Sequence, residues 1–128
     1  MIECLFLGDS IALGARVHSP RCEVIAENGI TSKQFNREYT PVPAKVVIIS
    51  LGSNDYRQIK TRDEIEALRS KVTGRVYWIL PAIKPEVQKI VKDVAFLNND
   101  TIITIPDLQR DGVHPTAKGY KEMLKEIK

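Results

Sequence analysis

The chain of 128 residues is poor in the groups that most often announce a function: it has two cysteines, two histidines and one tryptophan. Cys4, Cys22, His18 and His114 show no metal-ligand spacing, which excludes zinc-ribbon and zinc-finger architectures. The two cysteines fall in separate expected strands and are read as buried thiols rather than a disulfide. No apolar run approaches the length of a membrane span. Met1, Ile2, Glu3 and Cys4 enter a strand-like run at once, with no basic n-region. No signal peptide is therefore expected, and the default location is cytoplasmic, with delivery by another route left open. Charge of one sign is also missing: 19 Lys and Arg face 16 Asp and Glu, for a net charge of +3. These charges are interleaved like solvated helix faces, so neither a nucleic-acid nor a membrane partner is expected. Repeats, linkers and low-complexity tracts are absent. With 43% hydrophobic residues, the length suits one domain over residues 1–128 with a real core.

Short apolar runs alternate with helical patterns. Residues 2–7 read as a strand, and Ile11, Ala12, Leu13, Ala15 and Val17 as a short helix stopped at Ser19-Pro20. Residues 22–26 form a second strand, Asn28-Gly29 a turn, and Thr31 or Ser32 the cap of a helix broken by Pro41 and Pro43. Val46, Val47, Ile48 and Ile49 make a continuous β-branched run within residues 45–51, the mark of a central parallel strand buried on both faces. Thr61 and Glu64 have capping-box spacing ahead of a helix reaching Val72, closed by Gly74. Residues 75–80 are a fourth strand, Pro85 opens a helix bearing Val87, Ile90, Val91 and Val94, and residues 101–105 are a fifth strand. After a loop from Pro106 to His114, Thr116 caps a last helix whose inner face is Tyr120, Met123, Leu124 and Ile127. Such alternation predicts an α/β parallel sheet covered by helices on both faces. Strand order is not written in the pattern. The common order for five units is 2-1-3-4-5, with ligands bound beyond the strand ends at the switch point between strands 1 and 3.

The polar clusters fall at those strand ends: Asp9-Ser10, Asn28-Gly29, Ser53-Asn54-Asp55, and the loop carrying Asp107, Asp111 and His114. Ser10 sits at a strand–turn–helix junction, where its own N–H has no helical partner. A serine hydroxyl needs a base to become a nucleophile. His18 lies on the same helix, about 12 Å along its axis, too far for direct proton transfer; it reads as a surface residue at the helix end. His114 is the better base. Asp111 precedes it by three residues and shares a face with it in a helical turn, so the carboxylate can hold Nδ1 and leave Nε2 for the serine. The plainer alternative is a capped loop in which Asp111 bonds only backbone. In the assumed order the fifth strand lies about 14 Å from the first, and the loop before His114 can span roughly 30 Å, so reach is available. Asn54 and Gly29, each an ordinary turn residue alone, would with the Ser10 N–H supply three donors to an oxyanion.

Gly8-Asp9-Ser10, Gly29, Gly52-Ser53-Asn54-Asp55 and Asp111-Gly112-Val113-His114 together resemble, in order, the four blocks of the SGNH (GDSL-like) hydrolase superfamily. The resemblance spans nearly the whole chain. It implies a three-layer α/β/α, flavodoxin-like fold and a serine esterase or lipase activity with no metal or other cofactor. It also implies that Ser10, His114 and Asp111 are nucleophile, base and orienter, and that Ser10, Gly29 and Asn54 form the oxyanion hole. Asp9 and Asp55 match the blocks as turn-fixing residues. Ile11 departs from the family's leucine, and the connections after Asn54 and Pro81 carry no inserted lid. An open, shallow site is thus expected, with Tyr56, Arg57, Ile83 and Val113 on its wall. The substrate expected is a small-molecule or glycan ester, with a short acyl group such as acetyl on a sugar or other polar alcohol. Lipase, lysophospholipase-type or thioesterase activity on the same triad is the alternative within the class. Outside it stand a non-catalytic binding module and a metal-dependent phosphotransfer domain using Asp9, Asp55 and Asp107.

Overall fold

Val46 to Ile49 lie on β3 (Ala44–Ser50), and Val47, Ile48 and Ile49 are buried. The strand is central. It pairs in parallel with β1 (Ile2–Gly8) on one side and β4 (Arg75–Ile79) on the other. Outside them run β2 (Glu23–Ala26) and β5 (Thr101–Ile103), giving a parallel sheet in the order β2-β1-β3-β4-β5. The computed structural model describes residues 1–127. Within them the helices are α1 (Ser10–Val17), α2 (Ser32–Glu38), α3 (Thr61–Ser70), α4 (Pro85–Leu97) and α5 (Ala117–Leu124). The expected fold class and strand order both hold.

Strand pleating sorts the side chains into two cores. Leu5, Leu7, Val47, Ile49 and Trp78 pack with Phe35 of α2, Ile65 and Leu68 of α3, and Val87, Val91 and Val94 of α4. Phe6, Ile48, Tyr77 and Ile79 point the other way, to Ile11 and Ala15 of α1 and Tyr120 and Met123 of α5. Each such fully buried side chain contributes about 1.5–3 kcal/mol of transfer free energy.

Several boundaries differ from expectation for local reasons. β5 ends at Ile103, opposite Ile79, because β4 stops there and offers Thr104 no ladder partner. Thr61 does not cap α3. Its hydroxyl donates instead to Asp55 Oδ2 at 2.8 Å, and Lys60 occupies the cap position with no side-chain bond. Thr31 caps α2 in a capping box with Gln34, which frees Ser32 for Asp55. Val17, the last residue of α1, is exposed, and Ile127 follows the end of α5.

The cysteines are the clear correction. Cys4 on β1 and Cys22, just before β2, form a disulfide, with Cα atoms 4.8 Å apart. Cys22 precedes its strand because its N–H closes a turn onto Ser19 O. Adjacent parallel strands bring the two side chains together in a way that sequence spacing cannot reveal. The bridge closes the segment containing α1, so Cys22→Ser should lower unfolding free energy by about 2–4 kcal/mol in denaturant titration. The difference should vanish when both proteins are reduced.

At the C-terminal edge of the sheet, Asp9 ties β1 to β3. Its N–H donates to Ser50 O at 3.0 Å, and its Oδ1 accepts from Ser50 Oγ at 2.9 Å and from Ile11 N–H at 3.0 Å. Oδ2 is buried with no hydrogen-bond partner among the described residues. Burial raises the Asp9 carboxyl from 3.8 to about 6, against the lowering effect of its donors. The acid thus binds its proton more tightly in the folded chain than in the unfolded one. Its stabilising contribution is complete below pH 4 and is lost as pH rises through 6, a change of about 3 kcal/mol. Unfolding free energies of the native chain and Asp9→Asn, measured from pH 4 to 7, should show their difference moving against the native chain by this order. A difference independent of pH would refute the assignment.

Candidate active site

The site is built on the strand ends. Asp9 is the N-cap of α1, so Ser10 becomes the first residue of that helix and is half-exposed at the rim. Its N–H belongs to the first helical turn, where no preceding carbonyl is available. The hydroxyl meets His114: Ser10 Oγ and His114 Nε2 are 2.7 Å apart, across 104 positions of sequence.

The imidazole is held from behind. Asp111 Oδ2 lies 2.7 Å from His114 Nδ1. Asp111 Oδ1 accepts the backbone N–H groups of Val113 and His114, each at 2.9 Å. Bonds from the His114 and Val113 N–H groups, and then the imidazole, hold the Asp111 carboxyl down at about 2. The carboxylate is therefore charged throughout the neutral range, and only a Nδ1–H tautomer satisfies it, leaving Nε2 to accept from Ser10. Asp111 bonds backbone with one oxygen and the imidazole with the other, so the alternative in which it bonds only backbone does not hold.

Asn54 and Gly29 occupy neighbouring loops on the same edge. Asn54 Nδ2 donates one N–H to Ile30 O at 3.0 Å, next to Gly29 in sequence, and its second N–H has no partner among the described residues. Gly29 is exposed, with φ +73. Asp55 acts beneath them. Its carboxylate accepts from Ser32 N–H at 2.8 Å, Ser32 Oγ at 2.5 Å and Thr61 Oγ1 at 2.8 Å, joining the loop of Gly29 to the loop of Asn54.

Other expected residues lie elsewhere. His18 is half-buried rather than free on the surface, its ring stacked on Tyr120 with centroids 5.4 Å apart. Asp107 accepts from Thr116 Oγ1 at 2.6 Å and takes no part in a cluster with Asp9 and Asp55. A cavity of about 600 Å³ opens beside Asp55. Tyr56 and Arg57 line it with Ile59, Lys84 and Val87, whereas Ile83 and Val113 do not.

Sequence reasoning missed three participants. Ser50 and Ser32 are strand-end and helix-start serines with no distinguishing spacing. Lys84 reaches back to the carbonyls of Ser53 and Asp55, at 2.8 and 2.5 Å. Nothing in its neighbourhood marks it except Pro85, which announces the helix but not the lysine's reach.

The sequence matches no protein-family model and no curated protein. Solved structures do share its architecture. A GDSL-like lipase from Bacteroides thetaiotaomicron superposes with a TM-score of 0.68 at 20% identity, over 97% of this chain and 86% of that one. A protein assigned as an acylhydrolase from Bacteroides fragilis does so with a TM-score of 0.67 at 22% identity, over 98% of this chain and 83% of that one. The chain thus has the α/β fold of the GDSL-like lipase and of the second protein, with Ser10 and His114 hydrogen bonded at the C-terminal edge of its sheet.

Proposed function

We propose that this chain is a serine hydrolase of the SGNH (GDSL-like) superfamily that cleaves carboxylic esters through an acyl-enzyme. The observation that carries the reading is the continuous hydrogen-bonded line from Ser10 Oγ through His114 to Asp111. It is what nucleophilic catalysis by serine requires: a base within reach of the hydroxyl, and a group that orients the base. Shared fold with a GDSL-like lipase supports it.

In the first half-reaction Ser10 Oγ attacks the ester carbonyl carbon while His114 Nε2 removes its proton. Asp111 retains its charge and stabilises the imidazolium. The Ser10 N–H, the Gly29 N–H and the second N–H of Asn54 receive the oxyanion. His114 then gives its proton to the leaving alcohol oxygen as the carbon–oxygen bond breaks, leaving acyl-Ser10. Water, activated by the same imidazole, hydrolyses that ester and restores the hydroxyl.

The preferred substrate in this reading is a short acyl group, such as acetyl, on a carbohydrate or other polar alcohol. Two features support it. His114 and Asp111 side chains remain 35% and 46% exposed, and no helix or strand lies between Ser50 and Thr61 or between Ile79 and Pro85 to cover the edge. The cavity beside Asp55 is of small-ligand size and presents the Tyr56 hydroxyl and Arg57 guanidinium; its lining does not include Ser10, Gly29, Asn54 or His114, so it serves in this reading only a part of a polar alcohol remote from the reacting carbonyl.

Ser10→Ala and His114→Ala should each remove nearly all turnover of an aryl acetate while the melting temperature stays close to native. Asn54→Ala should lower kcat by about 10²–10³ with a smaller change in KM, because its bond forms mainly in the transition state. His18→Ala should leave turnover nearly intact. An inactive His18→Ala beside an active His114→Ala would overturn the base assignment.

A panel of acetylated sugars, aryl esters of increasing chain length and acyl thioesters, blanked with Ser10→Ala, should give the highest kcat/KM on acetyl groups. Equal rates on acetyl and long-chain esters, or faster thioester cleavage, would refute the substrate preference while leaving the hydrolase reading in place.

A further inference from the structure

Lys84 has an unusual conformation and an unusual target. It precedes α4 with φ 62 and ψ 82, a left-handed backbone that side-chain-bearing residues rarely adopt. It gives α4 no side-chain cap. Its ammonium instead spans from the start of α4 to the loop after β3, donating to Ser53 O at 2.8 Å and Asp55 O at 2.5 Å. These two carbonyls flank Asn54 in sequence. The peptide group before Asn54 and the one after Asp55 are thereby tied to one cation, while the Asn54 side chain is tied to Ile30 O. Charge-assisted bonds of this kind are stronger than neutral ones. A strained backbone survives only where its surroundings enforce it, and such positions gather at functional sites.

We infer that Lys84 is a positioning residue for the hydrolysis: by clamping the carbonyls on either side of Asn54, it aims the uncommitted N–H of Asn54 at the oxyanion. The inference rests on the ester-hydrolase reading above. It adds to that reading a residue outside the sequence blocks, which acts on the reacting carbonyl through Asn54, although its side chain also lines the cavity beside Asp55. A donor that must meet a developing charge loses effect with small displacements, so loss of the clamp acts on the transition state more than on substrate binding.

Three variants test this against a purely structural role. Lys84→Met removes the clamp and keeps the strain. Lys84→Gly removes the clamp and relieves the strain, because glycine adopts positive φ freely. Both should lower kcat on an aryl acetate about tenfold or more with little change in KM, on the scale of a misplaced donor. Lys84→Met should melt below the native protein, and Lys84→Gly at or above the melting temperature of Lys84→Met. In the double variant Lys84→Met, Asn54→Ala, kcat should equal that of Asn54→Ala alone, since the clamp has nothing left to aim. If kcat instead follows melting temperature, or the two single effects multiply in the double variant, Lys84 is structural and the inference fails. Ser10→Ala separates the two levels. Native turnover far above Ser10→Ala with Lys84→Met unchanged sinks the clamp alone, whereas native turnover equal to Ser10→Ala sinks the hydrolase reading and the clamp with it.

Discussion

Ser10 can stand where it does because β1 and β3 come unusually close at their C-terminal ends. Gly8 has φ +135, and a Cβ placed on it would collide with the carbonyl of Ser50. Its absence lets Asp9 drop its N–H onto that same carbonyl and accept the Ser50 hydroxyl. Two strands are thus locked at the residue before the proposed nucleophile. The lock has a cost: a carboxylate with one oxygen dry and unpartnered. That cost appears as the raised Asp9 carboxyl, so the geometry of the turn and the acid–base behaviour of the fold have one cause.

The same principle recurs one layer further out. Asp55 gathers donors from Ser32 and Thr61, and Lys84 crosses from the start of α4 to the two carbonyls around Asn54. Each of these bonds joins a loop to the start of a helix or to another loop. None lies within a helix or strand. The loops at the edge that carries the candidate site are short of regular structure, and buried polar side chains do for them what the ladder does for the sheet. This places much of the polar interior of the protein directly under the candidate site, where Asp9, Ser50, Ser53, Asp55 and Thr61 are all buried.

How far the sequence could be read follows from the range of the forces involved. The β-branched run at 46–49, the helix stop at Pro20 and the start at Pro85 are local preferences, and all appear where expected. The four polar blocks were legible because chemistry restricts residue type, and strand ends are where such residues collect. Thr61 was misread because its capping-box spacing competes with a stronger acceptor, Asp55, that only tertiary structure brings near. Cys4 and Cys22 were misread for a similar reason: whether neighbouring strands place two side chains together depends on register, and Leu5 pairs with Glu23 in a way no local pattern states. Lys84 had no signal at all. A left-handed lysine looks in sequence like any solvated one. Tyr56 and Arg57, which follow directly from the Asn54–Asp55 block, line the cavity beside Asp55, whereas Ile83 and Val113 do not; Ser10 and His114 are not in its lining either.

The loop carrying His114 shows why one long-range bond can suffice. Leu108 bridges Pro115, Gln109 N–H donates to His114 O at 2.8 Å, and Gln109 Nε2 donates to Pro115 O at 3.0 Å. Asp107 takes both the N–H and the hydroxyl of Thr116, which in turn caps α5. Asp111 then fixes the turn by two bonds from backbone N–H groups and the imidazole by a third. The imidazole is therefore oriented by its own turn, and that turn is anchored to α5, which packs on the same core as α1. Ser10, on α1, and His114, ahead of α5, are brought together by apolar packing between those helices and the sheet, including Ile11, Tyr120 and Met123. Their 2.7 Å hydrogen bond then closes a gap that the core has already narrowed. Within this arrangement the distance between hydroxyl and imidazole depends on how α1 and α5 pack, and the direction of each group depends on the cap at its own end of the chain: Asp9 for the serine, Asp111 for the histidine.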